Sequence, residues 1–344
     1  METWQKNLKA AIIDPDGLAF YFPCDRESLS RVIDKYPMRI SPYYLSLIQV
    51  PGDPIWRQCV PDLRELQEDG LLSDPLEEEN LSPTPCLIHR YPDRVVFLAT
   101  TSCAVYCRFC MRKRKVGCSS SDLESKNLEG AIRYIEETSV VRDVILSGGD
   151  PLLLPDDHLE YLLRRLRKIP HVEIIRIGTR VPVTLPERIT PKLCRMLKTF
   201  HPLYINTHFN HPLEVTAKSA EACSRLADAG IPLANQTVLL KDVNDHPETM
   251  KKLMQKLLTI RVRPYYIHQM DLVKGTGHFR AEVKRGIEIM KGLRGHTSGM
   301  ANPYYVIDAP GGKGKIPLLP DSVCFQEDML VLKSYQGDEI EYPL

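Results

Sequence analysis

From residue 94 onward, β-rich apolar runs alternate with stretches of helical periodicity. The runs are Val95–Thr100, Asp143–Ser147, Val172–Gly178, Leu203–Phe209, Pro232–Leu240 and Arg263–Met270. Between them apolar residues recur three and four positions apart, as in Leu159, Leu162, Leu163, Leu166 and Ile169, opened by Asp156 or Asp157 and closed by Pro170. Met250, Leu253, Met254, Leu257 and Leu258 repeat the pattern. That spacing lays one stripe of a helix on a core, whereas the short runs fit buried strands. Six β-α units in series predict a parallel sheet with helices outside. A closed eight-fold barrel takes about 250 residues. Residues 94 to about 295 supply only six units, so the prediction is an α/β fold built as a curved, open, partial (β/α)6 TIM-like barrel. Its functional groups belong at the C-terminal ends of the strands.

The flanks differ. Residues 1–88 read as short helices, with Asp25 and Asp53 as caps and Pro54 at a first helical position. They predict a cap or an oligomer contact, with a homo-oligomer as the expected assembly. Ser73–Asn80 is a polar linker. The barrel occupies 89–295. Residues 296–344 hold a glycine-rich turn and a small β appendage in Met329–Tyr335 and Glu339–Tyr342.

Composition narrows the function class. A chain of 344 residues, with 45 basic and 44 acidic side chains and a net charge of +1, has no global field to recruit nucleic acid or an anionic membrane. It contains no run of eighteen apolar residues, and Met1–Lys6 lacks the apolar core of a signal peptide. Apart from three clustered at 103–110, the ten cysteines are scattered, which fits a reducing, cytoplasmic setting. A small-molecule substrate is therefore expected.

The chemistry concentrates after the first run, where Cys103, Cys107 and Cys110 are spaced C-x3-C-x2-C. Three thiolates on one loop can hold three irons of a 4Fe-4S cluster and leave the fourth open, whereas ordinary electron-transfer clusters take four cysteines. With Phe109 before the last cysteine and a strand before the loop, this resembles the radical-SAM signature. The resemblance implies that the open iron chelates S-adenosylmethionine, and that an electron from a reducing donor cleaves it to a 5′-deoxyadenosyl radical. The alternative is zinc, which needs four ligands. The next cysteine, Cys118, lies eight residues on across a basic segment.

Other groups sit at strand ends. In Ser147-Gly148-Gly149-Asp150 the glycines permit close backbone approach and Asp150 can accept from the ammonium of S-adenosylmethionine, unless this is a plain glycine turn. His208 and Gln236, on the fourth and fifth strands, are further candidates for that ligand, with His211 and Asn235 nearby. The turn Ala309-Pro310-Gly311-Gly312-Lys313-Gly314-Lys315 could cradle phosphate but is no Walker loop.

Together these stretches, across about residues 75–335, resemble the lysine 2,3-aminomutase family, radical-SAM enzymes that also carry pyridoxal 5′-phosphate. The resemblance runs through His89–Arg94, Cys103–Arg114, Ser147–Pro151, Asn206–Pro212, Asn235–Asp245, Gly292–Gly299 and Asp308–Lys315. It implies a barrel of the radical-SAM type and a Schiff base on Lys315, with Lys313 standing where the family usually has glycine. Arg90, Tyr91 and Arg94 would hold the cofactor phosphate, for which arginine forks are suited. Arg112 would clamp the substrate carboxylate. Lys113, Arg114 and Lys115 form either a solvated basic face or an offset to the cluster's negative charge. Asp271 and Asp308 would hold the ε-ammonium of L-lysine, whose amino group migrates from Cα to Cβ to give β-lysine. Longer members bind zinc through a C-terminal tail; with Leu344 the last residue and His246 at the matching internal place, no such zinc is expected. Three alternatives stay open: a related branch that makes β-lysine for an elongation factor, an aminomutase for another amino acid, and a radical-SAM enzyme without pyridoxal phosphate.

Overall fold

The computed structural model describes residues 2–68, 70–117, 125–319, 323–326, 329–334 and 336–343. Cys118 and Tyr335 lie outside the described residues. Nine strands form one sheet in chain order: β1 Leu87–Tyr91, β2 Arg94–Thr100, β3 Asp143–Gly148, β4 Ile174–Gly178, β5 Leu203–Thr207, β6 Leu233–Leu239, β7 Arg263–Gln269, β8 Tyr304–Ala309 and β9 Gly314–Pro317. Strands β2 to β8 are parallel; β1 and β9 run antiparallel at the two ends. Strands β10 Val323–Gln326, β11 Met329–Lys333 and β12 Glu339–Pro343 make a separate antiparallel sheet.

All six apolar runs are strands, and β8 adds a seventh parallel one. It escaped the apolar pattern because its two faces differ. The outward Tyr305 is buried, its hydroxyl donating to Gln269 Oε1 at 2.6 Å, while Asp308 on the opposite face breaks the hydrophobic run. The two ends of the sheet approach each other. Tyr91 Oη accepts from the Lys315 backbone N–H at 2.9 Å, and Arg90 Nη1 lies 3.1 Å from Asp308 Oδ1. Side chains therefore bridge the seam between β1 and β8–β9.

Helices such as Asp156–Arg167 and Pro247–Thr259 pack outside, and Leu159, Leu162, Leu163, Leu166, Met250, Leu253, Met254 and Leu257 are buried as their spacing requires. Asp156 opens its helix without capping it. Its carboxylate instead pairs with Arg188 at 2.8 Å and Lys192 at 3.0 Å. Asp25 and Asp53 do cap, accepting from Ser28 N and from Ile55 N and Trp56 N.

The N-terminal helices grip the loop that follows β2. Tyr106 N donates to Arg39 O and Arg108 N to Gln58 O, both at 2.9 Å. From the other side, a Cβ on Gly148 would stand 2.3 Å from Thr100 O, and one on Gly149 2.3 Å from Ser102 O. The two glycines thus let the end of β3 lie directly against the cysteine loop. Gly149→Ala should lower unfolding stability by about 1–3 kcal/mol, the range for overpacking against backbone that cannot yield. Gly130→Ala, in open space on helix Ser125–Glu137, should be neutral or stabilising by up to about 1 kcal/mol. Denaturant midpoints of the two variants against the parent measure the difference.

Candidate active site

The cysteine loop is fastened by buried charge. Arg108 is 2% exposed, and its guanidinium donates to Glu65 at 2.9 and 2.6 Å and to the carbonyls of Pro37 and Tyr36 at 2.8 and 3.2 Å. Lys113 Nζ adds contacts to Glu65 Oε2 at 2.5 Å, Arg108 O at 2.9 Å and Gly275 O at 3.2 Å. Burial pushes the Lys113 pKa down to about 8 against the pull of Glu65. Arg114 pairs with Asp74, Glu78 and Glu79, and Lys115 approaches Glu79 at 3.8 Å. The basic run is therefore matched by the acidic linker and Glu65 and is not a solvated face.

The three thiols lie close enough to feel one another. Burial, and then Asp150, Cys107 and Cys110, push the Cys103 thiol well up; burial and Cys107 push Cys110 to about 11. Thiolates crowded in this way require cationic compensation, which a polynuclear iron centre supplies. Three cysteines on one loop suit a cubane, whose ligands bind separate irons. Beside the loop, the half-buried His208 stacks edge-on against Phe109 at 5.6 Å, with Nε2 enclosed and lacking a partner. Burial and Arg180 hold its pKa down at about 3, so the ring is neutral.

Around this loop the strand ends contribute Ser147, whose Oγ accepts from Arg112 Nη1 at 3.3 Å, and Gln236, on the more open face of β6. Asp150 departs from expectation. Its buried carboxylate accepts from Thr179 Oγ1 at 2.6 Å, Arg180 N at 2.7 Å and Leu152 N at 3.2 Å. It fastens the segment after β4 and is not presented to a ligand ammonium. Asn235 is likewise internal, bonded to Phe209 N and O. His211 Nδ1 accepts from Leu213 N in a short turn.

A second constellation spans the seam. Asp308 and Lys315 are directly paired across β8–β9, with Nζ 2.8 and 3.1 Å from the two carboxylate oxygens. Arg90 contacts the same carboxylate, with its own Nε buried and unpartnered, and His268 Nδ1 lies 3.7 Å away. Burial and Lys315 push the His268 pKa down to about 4. Asp271, after β7, is pushed up to about 7 by burial and by Asp308. Arg94 lies over the Tyr91 ring at 4.0 Å. Lys313 is exposed on the turn, whereas Lys315 is half-buried. The glycines of that turn serve its packing: a Cβ on Gly312 would stand 2.5 Å from Leu81 Cδ1 and 3.0 Å from Leu76 O.

Between the two constellations stands Arg112. Its Nε and Nη2 are taken by Glu78, with contacts at 3.1, 3.1 and 2.7 Å, leaving Nη1 toward Ser147. Sequence reasoning missed Glu78, Arg180, Glu214 and His268. For Arg180 and His268 a signal existed: one lies two residues past the end of β4 and the other near the C-terminal end of β7.

Comparison with known proteins adds independent information. Residues 97–254 match the model of the Radical SAM superfamily, and residues 290–343 match a model described as Lysine-2,3-aminomutase. An L-lysine 2,3-aminomutase of Acetoanaerobium sticklandii is 52% identical over 97% of this chain and 82% of its own length. One from Clostridium subterminale is 50% identical over the same shares. A glutamate 2,3-aminomutase of Clostridioides difficile is 47% identical over 98% of this chain and 81% of its own. The three-cysteine loop at the mouth of a parallel barrel, the lysine strand that completes the sheet and these matches agree: the chain belongs to the lysine 2,3-aminomutase family of radical-SAM proteins.

Proposed function

We propose that this protein interconverts L-lysine and β-lysine by a 1,2-amino shift, using a 4Fe-4S cluster, S-adenosylmethionine and pyridoxal 5′-phosphate. The observation that carries the substrate is the pair Asp271 and Asp308, two carboxylates close enough for Asp308 to raise the Asp271 pKa. A glutamate side chain brought there would meet like charge, whereas an ε-ammonium relieves it.

Each residue has a part. Cys103, Cys107 and Cys110 hold the cluster; Ser147, Gly148, Gly149, His208 and Gln236 line the adjacent wall for S-adenosylmethionine. The orphaned His208 Nε2 supports that assignment. Arg90, Tyr91 and Arg94 form a cationic and hydroxyl edge suited to a phosphate, and the unpartnered Arg90 Nε fits it. Lys315 anchors the pyridoxal ring. When bound, the cluster and S-adenosylmethionine supply reversible hydrogen-atom abstraction, and pyridoxal phosphate supplies an aldehyde and ring through which an amino group can migrate. Arg112, oriented by Glu78, presents Nη1 to the substrate carboxylate. Asp308 now carries the Lys315 ammonium at 2.8 Å, a stand-in for the substrate's own ammonium once Lys315 is engaged elsewhere. Fixed at both ends, the substrate would hold Cβ in register.

Incubating the reduced, anaerobic protein with single amino acids and analysing for β-isomers tests the assignment. β-Lysine from lysine alone is expected; turnover of glutamate in its place would overturn it. Lys315→Ala should lose the pyridoxyl group that borohydride fixes on the chain, and Lys313→Ala should keep it; the reverse would move the anchor to Lys313.

Asp308→Ala should lower lysine kcat/KM roughly thirtyfold to several thousandfold, corresponding to about 2–5 kcal/mol for breaking a buried charge pair. For Asp271, burial favours the neutral acid, so the carboxylate needed by a cation is present only above its raised pKa of about 7. Lysine kcat/KM should therefore rise with pH through about 7, and Asp271→Asn should lower it and remove that limb of the profile. An unaltered profile in Asp271→Asn would exclude this carboxylate.

A further inference from the structure

The geometry points to Arg180 and Glu214 as opposed positioning residues that set how readily the thiolate-bound cluster takes up an electron. Arg180 Nη1 lies 2.7 Å from Cys107 Sγ. Its remaining donors are committed: Nε to His208 O at 3.2 Å, and Nη2 to Tyr44 Oη, Gln58 Oε1 and Glu214 Oε1 at 3.0, 2.6 and 2.7 Å. The guanidinium carbon also stands 5.2 and 5.3 Å from the ring centroids of Tyr44 and Phe109. Glu214 is fully buried. Oε1 also accepts from Tyr44 at 2.7 Å, and Oε2 accepts from the N–H groups of Asn210 and His211 at 2.5 and 2.9 Å. Neither side chain can swing aside without abandoning several contacts.

A 4Fe-4S cluster accepts one electron from a low-potential one-electron donor; no bond forms or breaks, and its net charge becomes one unit more negative. A cationic donor on a ligand sulfur favours that state, since hydrogen bonds to sulfur and local charge are among the levers of cluster potential. Burial strengthens the effect relative to water. Glu214, on another edge of the same guanidinium, opposes it. Arg180 thus eases reduction and Glu214 resists it. The proposal rests on the three cysteines being cluster ligands, which iron content and absorbance of the parent protein test separately; it does not depend on the substrate.

The test uses the full chain, reconstituted anaerobically as parent, Arg180→Gln, Arg180→Lys and Glu214→Gln. Each is titrated with dithionite in the presence of redox mediators, the reduced cluster being followed by electron paramagnetic resonance. The midpoint should become more negative in Arg180→Gln and less negative in Glu214→Gln, with Arg180→Lys between parent and Arg180→Gln and iron per chain unchanged. A purely structural pair would lower iron per chain while leaving the retained cluster at the parental midpoint. Unshifted midpoints, shifts of one sign, or loss of the cluster from both Gln variants overturn the proposal. If only one of them fails to load, the sign of the shift in the other decides.

Discussion

Three half-buried cysteines on one short loop gather negative charge wherever they bind a metal as thiolates, and much of the structure answers to that constraint. The loop that carries them is squeezed between the glycines at the end of β3 and the carbonyls of the N-terminal helices. Its own charges, Arg108 and Lys113, are turned away onto Glu65. Among the described residues, Arg180 is the cation in hydrogen-bond contact with a cysteine sulfur. Positive charge is thus held in place beforehand, and the sulfurs themselves are left to the metal.

The same economy of charge recurs at the seam. Asp308 faces Lys315, Arg90 and, at longer range, His268, so a carboxylate only 7% exposed is overmatched by cations. Asp271 also feels Lys315 and Arg90, but burial and Asp308 outweigh them and its pKa rises. The two aspartates that look equivalent along the chain therefore sit in different surroundings. One is held directly by cationic side chains, and the other is an acid whose pKa is pushed up to about 7.

The barrel was legible because its strands are apolar on the face that packs under helices, and its helices repeat at three and four residues. Strand β8 was hidden by the charged Asp308 near its end, which is the residue the proposed site uses. The cysteines and glycines were legible because spacing alone restricts them. Asp150 was misread: its position by the glycines resembled a ligand acceptor, but three internal donors claim it. Arg112 was visible and its partner was not, because Glu78 lies 34 residues upstream in what read as a linker. Buried ion pairs between distant segments leave no periodic trace, so Glu65, Glu78 and Glu214 emerge only in three dimensions.

The contacts made by Arg39 and Gln58 carry a consequence for how the chain may be divided. Both supply backbone carbonyls to the cysteine loop, and Gln58 and Tyr44 also fill donor positions on Arg180. Cutting after the linker would strip that loop of acceptors and leave a guanidinium short of partners inside the barrel. The boundary that composition suggests near residue 88 is thus a border of sequence and not of autonomy. The segment before it is built into the support of the cysteine loop and of Arg180.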